Sequence, residues 1–501
     1  MAKVVFDKDL KSFIWKGSFE EKLIPKRAGF MWNPISREWE TKKKSKAYFL
    51  KEFFDQSARE QFLKNTLIID DEGPKSLKIP KHQALKDFQV KGAYFALSRN
   101  HSYLAFEQGL GKTPTAICIA NSLNVETLII CPAFLVDNWK SELSEWSFKG
   151  EGESIDNGKD KVLKFGPIII LPDSLLDRPA IHDFLLEREF ELLIVDEAHR
   201  FKNFESKRAQ NLFEKICGRI ENIVCLSGTP MPNRPAELYP VVSTLAANVI
   251  DYQDFHNFGV EYCNAFETRF GWEYRGASNL DKLHNKLKSF MFRVTKAEVL
   301  PELLPKEERI IKLTPPSKIV DLAKKEQSVM GKHFKVDKII EKKNLGEIAT
   351  YRKMLGVAKV PLVSQYIESV FEAGEENLLV FAWHLEVIES LKKKFPDAEV
   401  ITGGTPKDER TEIVQNFQVG KIKILIAQIQ TMVGLNLTRA DRVIFAEFSW
   451  SPSDNEQAMD RAHRIGQKNS LTVDYLVLAK TLDAHILDRL KEKKKVIKQV
   501  I

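Results

Sequence analysis

The chain has 501 residues, of which 43% are hydrophobic and 29% charged, a balance typical of folded proteins and not of disordered ones. At about 150 residues per domain, this length allows about three domains. The longest apolar runs are strand-sized, which excludes a membrane helix of about 20 apolar residues. The N-terminal segment is charged throughout, so we do not expect a signal peptide. The 5 scattered cysteines contain no C-x-x-C pair, which favours a reducing cytosol over a disulfide framework or a cysteine-based zinc site.

The net charge of +7 is concentrated at the two ends of the chain. Residues 1–60 hold 14 Lys/Arg and 9 Asp/Glu, and residues 480–501 hold 7 Lys/Arg and 3 Asp/Glu. A mildly acidic body with two basic ends suits a polyanionic partner, although solvated lysine-rich surfaces would give the same pattern.

The first 60 residues form an aromatic and basic module, predicted as a small α+β domain. The sequence NPIS at 33–36 predicts a turn between two short strands ending near Trp32 and Trp39, and residues 45–54 have helical spacing. Aromatic side chains among Lys and Arg can bind nucleic acid, and they can also fill the core of a tiny domain. We expect nucleic-acid binding through Trp32 and Trp39, and a linker at 61–84.

Two series of apolar runs separated by helical segments follow. The first, at 85–312, contains TLIIC, PIIIL, FELLIVD and NIVCL; the second, at 361–479, contains NLLVFAW, AEVIT, IKILIA, RVIFAE and TVDYLVL. Such runs are typical of buried parallel strands. Residues 313–360 are predicted as a helical connector and residues 480–501 as one basic helix. The fold class is therefore α/β with two parallel-sheet lobes, and a site is expected in the cleft between them.

A glycine-rich segment before a helical stretch has the composition of a phosphate-binding loop. It comprises Gly109, Leu110, Gly111, Lys112 and Thr113. Glycines let backbone amides approach phosphate oxygens, Lys112 would reach the β- and γ-phosphates, and the Thr113 hydroxyl would bind Mg²⁺. The strict rule G-x-x-x-x-G-K-[ST] requires Gly at 106, where the chain has Phe106, so the motif by itself leaves an ordinary glycine turn open.

Two adjacent carboxylates end the apolar run FELLIVD. Asp196 would hold the magnesium ion, and Glu197 would orient or deprotonate the attacking water. An Asp-Glu pair after a strand is more often a helix cap, but the upstream loop favours the catalytic interpretation.

In the second series, Arg461 and Arg464 are three residues apart and are predicted to share one helical face. Cations of this kind meet the charge that develops on a γ-phosphate, so arginines from a second lobe would act when the cleft closes. The alternative is a surface helix with ordinary ion pairs.

Together, these segments resemble the Swi/Snf-related ATPases of helicase superfamily two, over roughly residues 84–490. The resemblance is carried in order by LKDFQVKGA, EQGLGKT, LIICPAFLVDNWKSELSEW, DEAH, LSGTPMPN, MFRVTKAEVLPELLPK and TMVGLNLTRADRVIFAEFSWSPSDNEQAMDRAHRIGQ. It implies two RecA-like lobes that sandwich ATP with Mg²⁺. It also implies that Gln89 reads adenine, that Gly434 and Gln457 belong to the nucleotide site, and that Ser227 and Thr229 link nucleotide state to lobe position.

Residues 348–360 and the AEFSW run are most similar to the HepA-related annealing helicases, which carry a small substrate-recognition domain before the motor. The module at 1–60 has a comparable place and composition. The chain departs from the family pattern at several positions, none of which removes an inferred catalytic group. These are Phe106, Gln108, Val294, Gln428 and Glu447.

The resemblance implies an ATP-driven motor that tracks along duplex or forked DNA and remodels or anneals it. DNA phosphates are expected near Asn138 and Trp139 and near Thr402, Gly403 and Gly404. Alternatives are a strand-separating DNA or RNA helicase and a nucleotide-gated remodeller of RNA polymerase or another complex; a metabolic P-loop kinase would not need the second-lobe run. We further expect a monomer without membrane contact, a single-strand-binding or replication partner, and a bacterial or phage cytoplasm, or a nucleus if the host is eukaryotic.

Overall fold

The structure is a computed structural model that divides into two units. It describes residues 2–10, 12–28, 30–42, 47, 50–58, 76–155, 166–250, 254–269, 271–301, 303–304, 306–315, 342–375, 377–431, 435–464, 466–467, 469–479 and 481–501. The first unit is Met1–Thr295 with Ile497–Ile501, and the second is Lys296–Val496.

The first unit begins with an antiparallel sheet in the order β1-β2-β4-β3. Its elements are β1 Lys3–Asp7, β2 Ser12–Lys16, α1 Leu23–Arg27, β3 Met31–Asn33 and β4 Glu38–Thr41. The turn predicted at 33–36 is confirmed, because Asn33 Oδ1 accepts a hydrogen bond from the Ile35 amide at 2.9 Å between β3 and β4. The helix predicted over 45–54 lies partly outside the described residues, and its described part includes a 3₁₀ turn at Lys51–Phe53.

Within the described residues, the rest of the first unit is built on a seven-stranded parallel sheet in the order β13-β5-β10-β9-β6-β8-β7. Its strands are β5 His101–Phe106, β6 Thr127–Cys131, β7 Glu153–Ser154, β8 Ile168–Pro172, β9 Leu192–Asp196, β10 Asn222–Leu226 and β13 Met291–Val294; β11 Phe266–Thr268 and β12 Gly271–Glu273 form a separate hairpin. The helices are α2 Asp87–Leu97, α3 Lys112–Leu123, α4 Val136–Trp146, α5 Pro179–Glu187, α6 Lys207–Gln210, α7 Tyr239–Leu245, α8 Phe255–Tyr262 and α9 Leu280–Leu287. The four apolar runs of the first series all lie in this sheet, as predicted. Because its strands are parallel, the segments that follow β5, β9 and β10 meet at one carboxyl edge.

The second unit has a six-stranded parallel sheet in its described part, in the order β14-β19-β18-β15-β17-β16. Its strands are β14 Lys306–Leu313, β15 Leu378–Ala382, β16 Glu399–Ile401, β17 Ile424–Gln428, β18 Arg442–Phe445 and β19 Leu471–Leu478. Its helices are α10 Lys296–Val299, α11 Lys342–Glu372, α12 Leu385–Lys394, α13 Lys407–Gln418, α14 Pro452–Met459 and α15 Leu482–Val500. Two helix-flanked parallel sheets are the RecA-like α/β class that the sequence predicts.

The border between the two units lies earlier in the chain than the sequence predicts. The sequence pattern ends the first lobe at 312, but Lys306–Leu313 pairs along its whole length with Leu471–Leu478 and so belongs to the second sheet. The reason is that this strand forms the edge of its sheet, where five of its eight residues are charged and none is fully buried, so it lacks the contiguous apolar run of a central strand. The predicted connector at 313–360 lies partly outside the described residues; its described part enters α11, which continues to Glu372.

All five cysteines are free thiols buried in the protein. Among the described helices, none combines the length and the apolar character needed to cross a membrane.

Candidate functional site

The phosphate loop follows β5 and opens helix α3. Gly109 and Gly111 have φ angles of +82° and +73°, in the left-handed region that glycine adopts without strain. Lys112 is the first residue of α3, and its Nζ donates a hydrogen bond to the Phe106 carbonyl oxygen at 3.2 Å. The lysine therefore folds back along the loop, beside the backbone amides at the start of the helix. Thr113 is half-buried next to it.

Gln89 on α2 supports this loop. Its Oε1 accepts a hydrogen bond from the Lys86 amide at 2.7 Å, and its Nε2 donates one to the Leu110 carbonyl oxygen at 3.1 Å. A Cβ atom at Gly111 would lie 2.1 Å from Gln89 Nε2, so only glycine fits there without displacing the glutamine. The side chain predicted to read adenine is thus packed against the loop predicted to bind phosphate.

The acidic pair lies at the carboxyl end of β9, and both carboxylates are buried, at 6% exposure for Asp196 and 8% for Glu197. Glu197 has a φ of +48°, a left-handed conformation that residues other than glycine rarely adopt and that is found at functional sites. Its amide donates to Asp196 Oδ1 at 2.9 Å. Burial first, and then the Glu197 charge, raise the pKa of Asp196 above its ordinary value of 3.8, while Lys112 and Trp139 oppose the shift.

Trp139 is a member of this site and not of a DNA-contacting surface. Its side chain is 0% exposed, and its indole Nε1 donates a hydrogen bond to Asp196 Oδ2 at 3.0 Å. The prediction that Trp139 contacts nucleic acid is therefore wrong for this conformation, because α4 turns the ring toward the sheet. Asn138, its neighbour on the helix, is exposed.

Ser227 and Thr229 follow β10 and contact the acidic pair. The Ser227 hydroxyl lies 2.8 Å from His199 Nδ1 and 3.5 Å from Glu197 Oε2, and it accepts a hydrogen bond from the Thr229 amide at 3.0 Å. His199 Nδ1 is itself 3.2 Å from Glu197 Oε2. The sequence interpretation left His199 out of the site, although its place in the DEAH run was a signal.

Arg293 on β13 joins the loop to the serine segment, and the sequence interpretation missed it. Its Nη1 donates to the Ala105 carbonyl oxygen at 2.8 Å and to the Gly228 carbonyl oxygen at 2.9 Å. Its Nη2 lies 3.5 Å from Glu107 Oε1. The only signal was its place in the run MFRVTK, since a backbone bridge of this kind leaves no pattern in sequence.

The residues present fit a nucleotide with Mg²⁺. Two adjacent buried carboxylates disfavour each other's ionised form, a cost that a divalent cation removes. Asp196 and the Thr113 hydroxyl are oxygen ligands of the kind Mg²⁺ prefers. The loop around Gly111 has no room for a side chain and presents backbone amides, as phosphate binding requires.

In the second unit, Arg461 and Arg464 lie in a turn and not on one helical face, so that prediction is wrong. Helix α14 ends at Met459, and the Arg461 amide bonds to the Ala458 carbonyl oxygen, three residues back, at 3.3 Å. This tighter spacing ends the helix before either arginine. Arg461 is 8% exposed, and burial lowers the pKa of the half-buried Arg464, with Asp460 opposing the shift.

Two further predicted nucleotide residues belong to the second unit. Gln457 lies half-buried on α14, one turn before the arginines. Gly434 lies outside the described residues.

The remaining predicted nucleic-acid residues are accessible. Gly403 and Gly404 are exposed in the loop after β16, with Thr402 half-buried beside them, and the Gly403 amide donates to Gln428 Oε1 at 3.2 Å. In the N-terminal module, Trp32 is 48% exposed and lies opposite Trp39, with ring centroids 5.6 Å apart.

One parallel sheet ends in a phosphate loop, a buried acidic pair and a serine–threonine segment, and a second carries an arginine turn; together they define a helicase-like ATPase. Comparison with protein families agrees: residues 88–355 match the SNF2-related domain and residues 358–466 match the helicase conserved C-terminal domain. The chain belongs to the SNF2-related family, which confirms the family that the motifs predict.

Curated relatives include one named for chromatin regulation and one named for annealing. The SWI/SNF-related matrix-associated actin-dependent regulator of chromatin subfamily A-like protein 1 of Xenopus laevis is 33% identical over 432 residues, 83% of this chain and 44% of that protein. The DNA annealing helicase and endonuclease ZRANB3 of Homo sapiens is 32% identical over 438 residues, 82% of this chain and 40% of that protein. The chain thus spans less than half the length of these two relatives.

Among solved structures, the Sulfolobus solfataricus SWI2/SNF2 ATPase core in complex with dsDNA is similar with a TM-score of 0.41 and 22% identity, covering 85% of this chain and 94% of that one.

Proposed function

We propose that this protein is an ATP-driven motor that moves along double-stranded DNA and remodels or anneals structures such as forks. The observation that carries the proposal is the meeting of Lys112, the Asp196–Glu197 pair and Ser227 at one edge of a parallel sheet, in a chain of the SNF2-related family. A relative named as a DNA annealing helicase supports annealing as the outcome.

In this proposal, each of the site residues in the first unit has a defined chemical role. Bound Mg²⁺ and ATP supply charge neutralisation and the phosphoryl group. Lys112 and the loop amides hold the β- and γ-phosphates, while Thr113 and Asp196 hold the cation. Glu197 orients the attacking water and accepts its proton. Gln89 fixes the loop and reads the adenine.

Coupling between the site and the motor uses the serine segment and the second unit. The contacts of Ser227 with His199 and Glu197 give a route by which the protonation of Glu197 alters the backbone at Thr229. Arg461 and Arg464, with Gln457 and Gly434, complete the site from the second lobe and stabilise charge on the γ-phosphate. Hydrolysis then depends on lobe closure.

DNA contacts are proposed at Asn138 and at Thr402, Gly403 and Gly404, through phosphates. Phosphate contacts carry little sequence information and release counterions, so binding is sequence-tolerant and salt-sensitive. Trp32 and Trp39 in the N-terminal module select forks or single-strand junctions by stacking on unpaired bases. A monomeric state, a single-strand-binding or replication partner and a location at the nucleoid or nucleus are predictions of the same proposal.

The test is the ATP turnover rate without nucleic acid and with single-stranded DNA, duplex DNA, forked DNA and RNA. We expect duplex or fork to raise the rate at least about tenfold, a difference of about 1.4 kcal/mol in barrier height. Stimulation by RNA equal to that by DNA would favour an RNA helicase. A rate indifferent to every nucleic acid would overturn the proposal in favour of a protein-remodelling ATPase.

A further inference from the structure

A buried lysine holds the turn that carries the two second-unit arginines. Lys296 is 5% exposed and is the first residue of the second unit. Its Nζ donates a hydrogen bond to Asp460 Oδ1 at 2.7 Å and another to the His463 carbonyl oxygen at 2.6 Å. One ammonium group therefore fixes a carboxylate and a backbone carbonyl on either side of Arg461.

The same turn is held at a second point nearby. The ring Nε2 of His463 lies 3.0 Å from the Leu304 carbonyl oxygen, so both contacts come from the segment that opens the second unit. The Arg461 carbonyl oxygen also accepts a hydrogen bond from the Leu437 amide at 2.9 Å. Backbone hydrogen bonds and a buried ion pair thus set the direction in which Arg461 and Arg464 leave the main chain.

Three residues before Lys296, Arg293 makes the equivalent anchor within the first unit. Its guanidinium bonds to the carbonyl oxygens of Ala105 and Gly228, at the ends of the strands that lead to the phosphate loop and to Thr229. Arg293 and Lys296 therefore each anchor a loop or turn within their own unit, Arg293 in the first and Lys296 in the second.

We propose that Lys296 is a positioning residue for ATP hydrolysis, which orients Arg461 and Arg464 through Asp460 and the His463 carbonyl. It acts through the turn and does not itself touch the nucleotide. The inference rests on the proposed function, because it requires the arginines to act on bound ATP. A competing explanation is that Lys296 and Asp460 only stabilise the fold, as many buried ion pairs do.

The first test replaces the ammonium group and retains the length of the side chain. Lys296→Met should lower kcat of the DNA-stimulated ATPase by about 10- to 100-fold and leave the KM for ATP within about twofold, because misdirected arginines affect the transition state and not ground-state binding. Lys353→Met is the matched control, since Lys353 pairs with Glu386 at 2.9 Å on the surface of the same unit. The control should retain the kcat of the parent.

The second test separates positioning from stability. If Lys296 acts through the arginines, Arg464→Ala should cost much less in a Lys296→Met background than in the parent, because residues that act as a unit are not additive. Asp460→Asn, which keeps the shape of the side chain and removes its charge, should repeat the pattern with a smaller loss of kcat, measured well below the melting temperature of each variant.

Failure of the inference is distinguishable from failure of the proposed function. A parent whose turnover ignores DNA overturns the function. A stimulated parent in which Lys296→Met retains kcat, or in which the losses from Lys296→Met and Arg464→Ala multiply, overturns the positioning role alone.

Discussion

The indole Nε1 of Trp139 donates a hydrogen bond of 3.0 Å to Asp196 Oδ2, and the ring is fully buried. Trp139 therefore contacts the acidic pair, although Asn138, its neighbour on helix α4, is exposed. Its hydrogen bond lowers the pKa of Asp196, against the larger opposing effects of burial and of Glu197. Trp139 is therefore expected to orient the Asp196 carboxylate, to which the proposed function assigns Mg²⁺.

Trp139→Phe should reduce ATP turnover and leave DNA affinity nearly unchanged. The substitution removes a donor to a buried carboxylate, at a stability cost of about 1–3 kcal/mol. Loss of orientation at Asp196 should also raise the Mg²⁺ concentration needed for half-maximal turnover. Magnesium titrations of the ATPase, with DNA binding measured by fluorescence anisotropy, check both points.

The control for this prediction is Trp146→Phe, because Trp146 is half-buried on the same helix, and this variant should match the parent. DNA binding lost in Trp139→Phe alone, with a parental magnesium requirement, would restore the DNA-contact role.

Gly111→Ala should impair nucleotide binding for two reasons that can be separated. The new Cβ would lie 2.1 Å from Gln89 Nε2, and a φ of +73° costs a non-glycine residue about 1–2 kcal/mol. We expect at least a tenfold weaker Kd for a fluorescent ATP analogue. Gly150→Ala isolates the backbone effect, since Gly150 has a φ of +87° with nothing within 4 Å of its Cβ position. Equal nucleotide affinity in both variants would show that the loop does not need Gly111.

Trp32→Ala should weaken the preference for forked over plain duplex DNA and leave duplex-stimulated ATPase intact. The ring is 48% exposed and is available to stack on a base, an interaction worth about 1–3 kcal/mol. The ratio of fork to duplex Kd measures the effect. Trp272→Ala is the matched control, because Trp272 is 43% exposed on the β11–β12 hairpin. An unchanged ratio in Trp32→Ala would make the N-terminal aromatic pair purely structural.

The Glu447 carboxylate makes the stability of the second unit depend on pH in the acidic range. Burial would raise the pKa of Glu447, but the His384 ring at 2.7 Å and the amides of Trp383 and His384 lower it by more, so the pKa falls below its ordinary value of 4.5. Its stabilising contribution is therefore complete above pH 4.5 and is lost as pH falls through the lower folded-state value. Arg352 is a further charge that interacts with this carboxylate.

Glu447→Gln should accordingly destabilise the protein by about 1–3 kcal/mol at pH 7, with the difference from the parent shrinking below pH 4.5. Thermal unfolding of both proteins between pH 3 and pH 7 measures it. A difference that stays constant over that range would mean that the charge of Glu447 contributes nothing.

Sequence predicted the two sheets well because buried parallel strands leave contiguous apolar runs that few other structures produce. The glycine-rich loop, the acidic pair and Ser227 each directly follow such a run, so their positions after strands could be read from the sequence, while their roles stay predictions. Sequence-based prediction failed where a residue's role depends on tertiary neighbours. The border at 312 was misplaced because the edge strand Lys306–Leu313 is mostly charged, with no fully buried residue, and so lacks the apolar run that marks a central strand.

The predicted helical face for Arg461 and Arg464 failed for a similar reason. Three-residue spacing is compatible with a helix. It does not reveal that Lys296 donates a hydrogen bond to the Asp460 carboxylate, or that the helix ends at Met459. Trp139 and Arg293 show the same limit, because a buried indole and a guanidinium bonded to carbonyl oxygens have no signature in spacing. The chemistry-bearing motifs were visible in sequence, whereas the side chains that position them were not.

Displacement of a third strand from a triplex on long duplex DNA, followed over time with ATP, tests the central claim of duplex translocation most directly. The parent should release the strand only while ATP is hydrolysed, and Lys112→Ala and Glu197→Gln should release none while still binding duplex. A plain fork without a triplex should be annealed and not unwound. Release at the parental rate by Glu197→Gln, or no release by a parent that hydrolyses ATP on duplex DNA, would contradict the account.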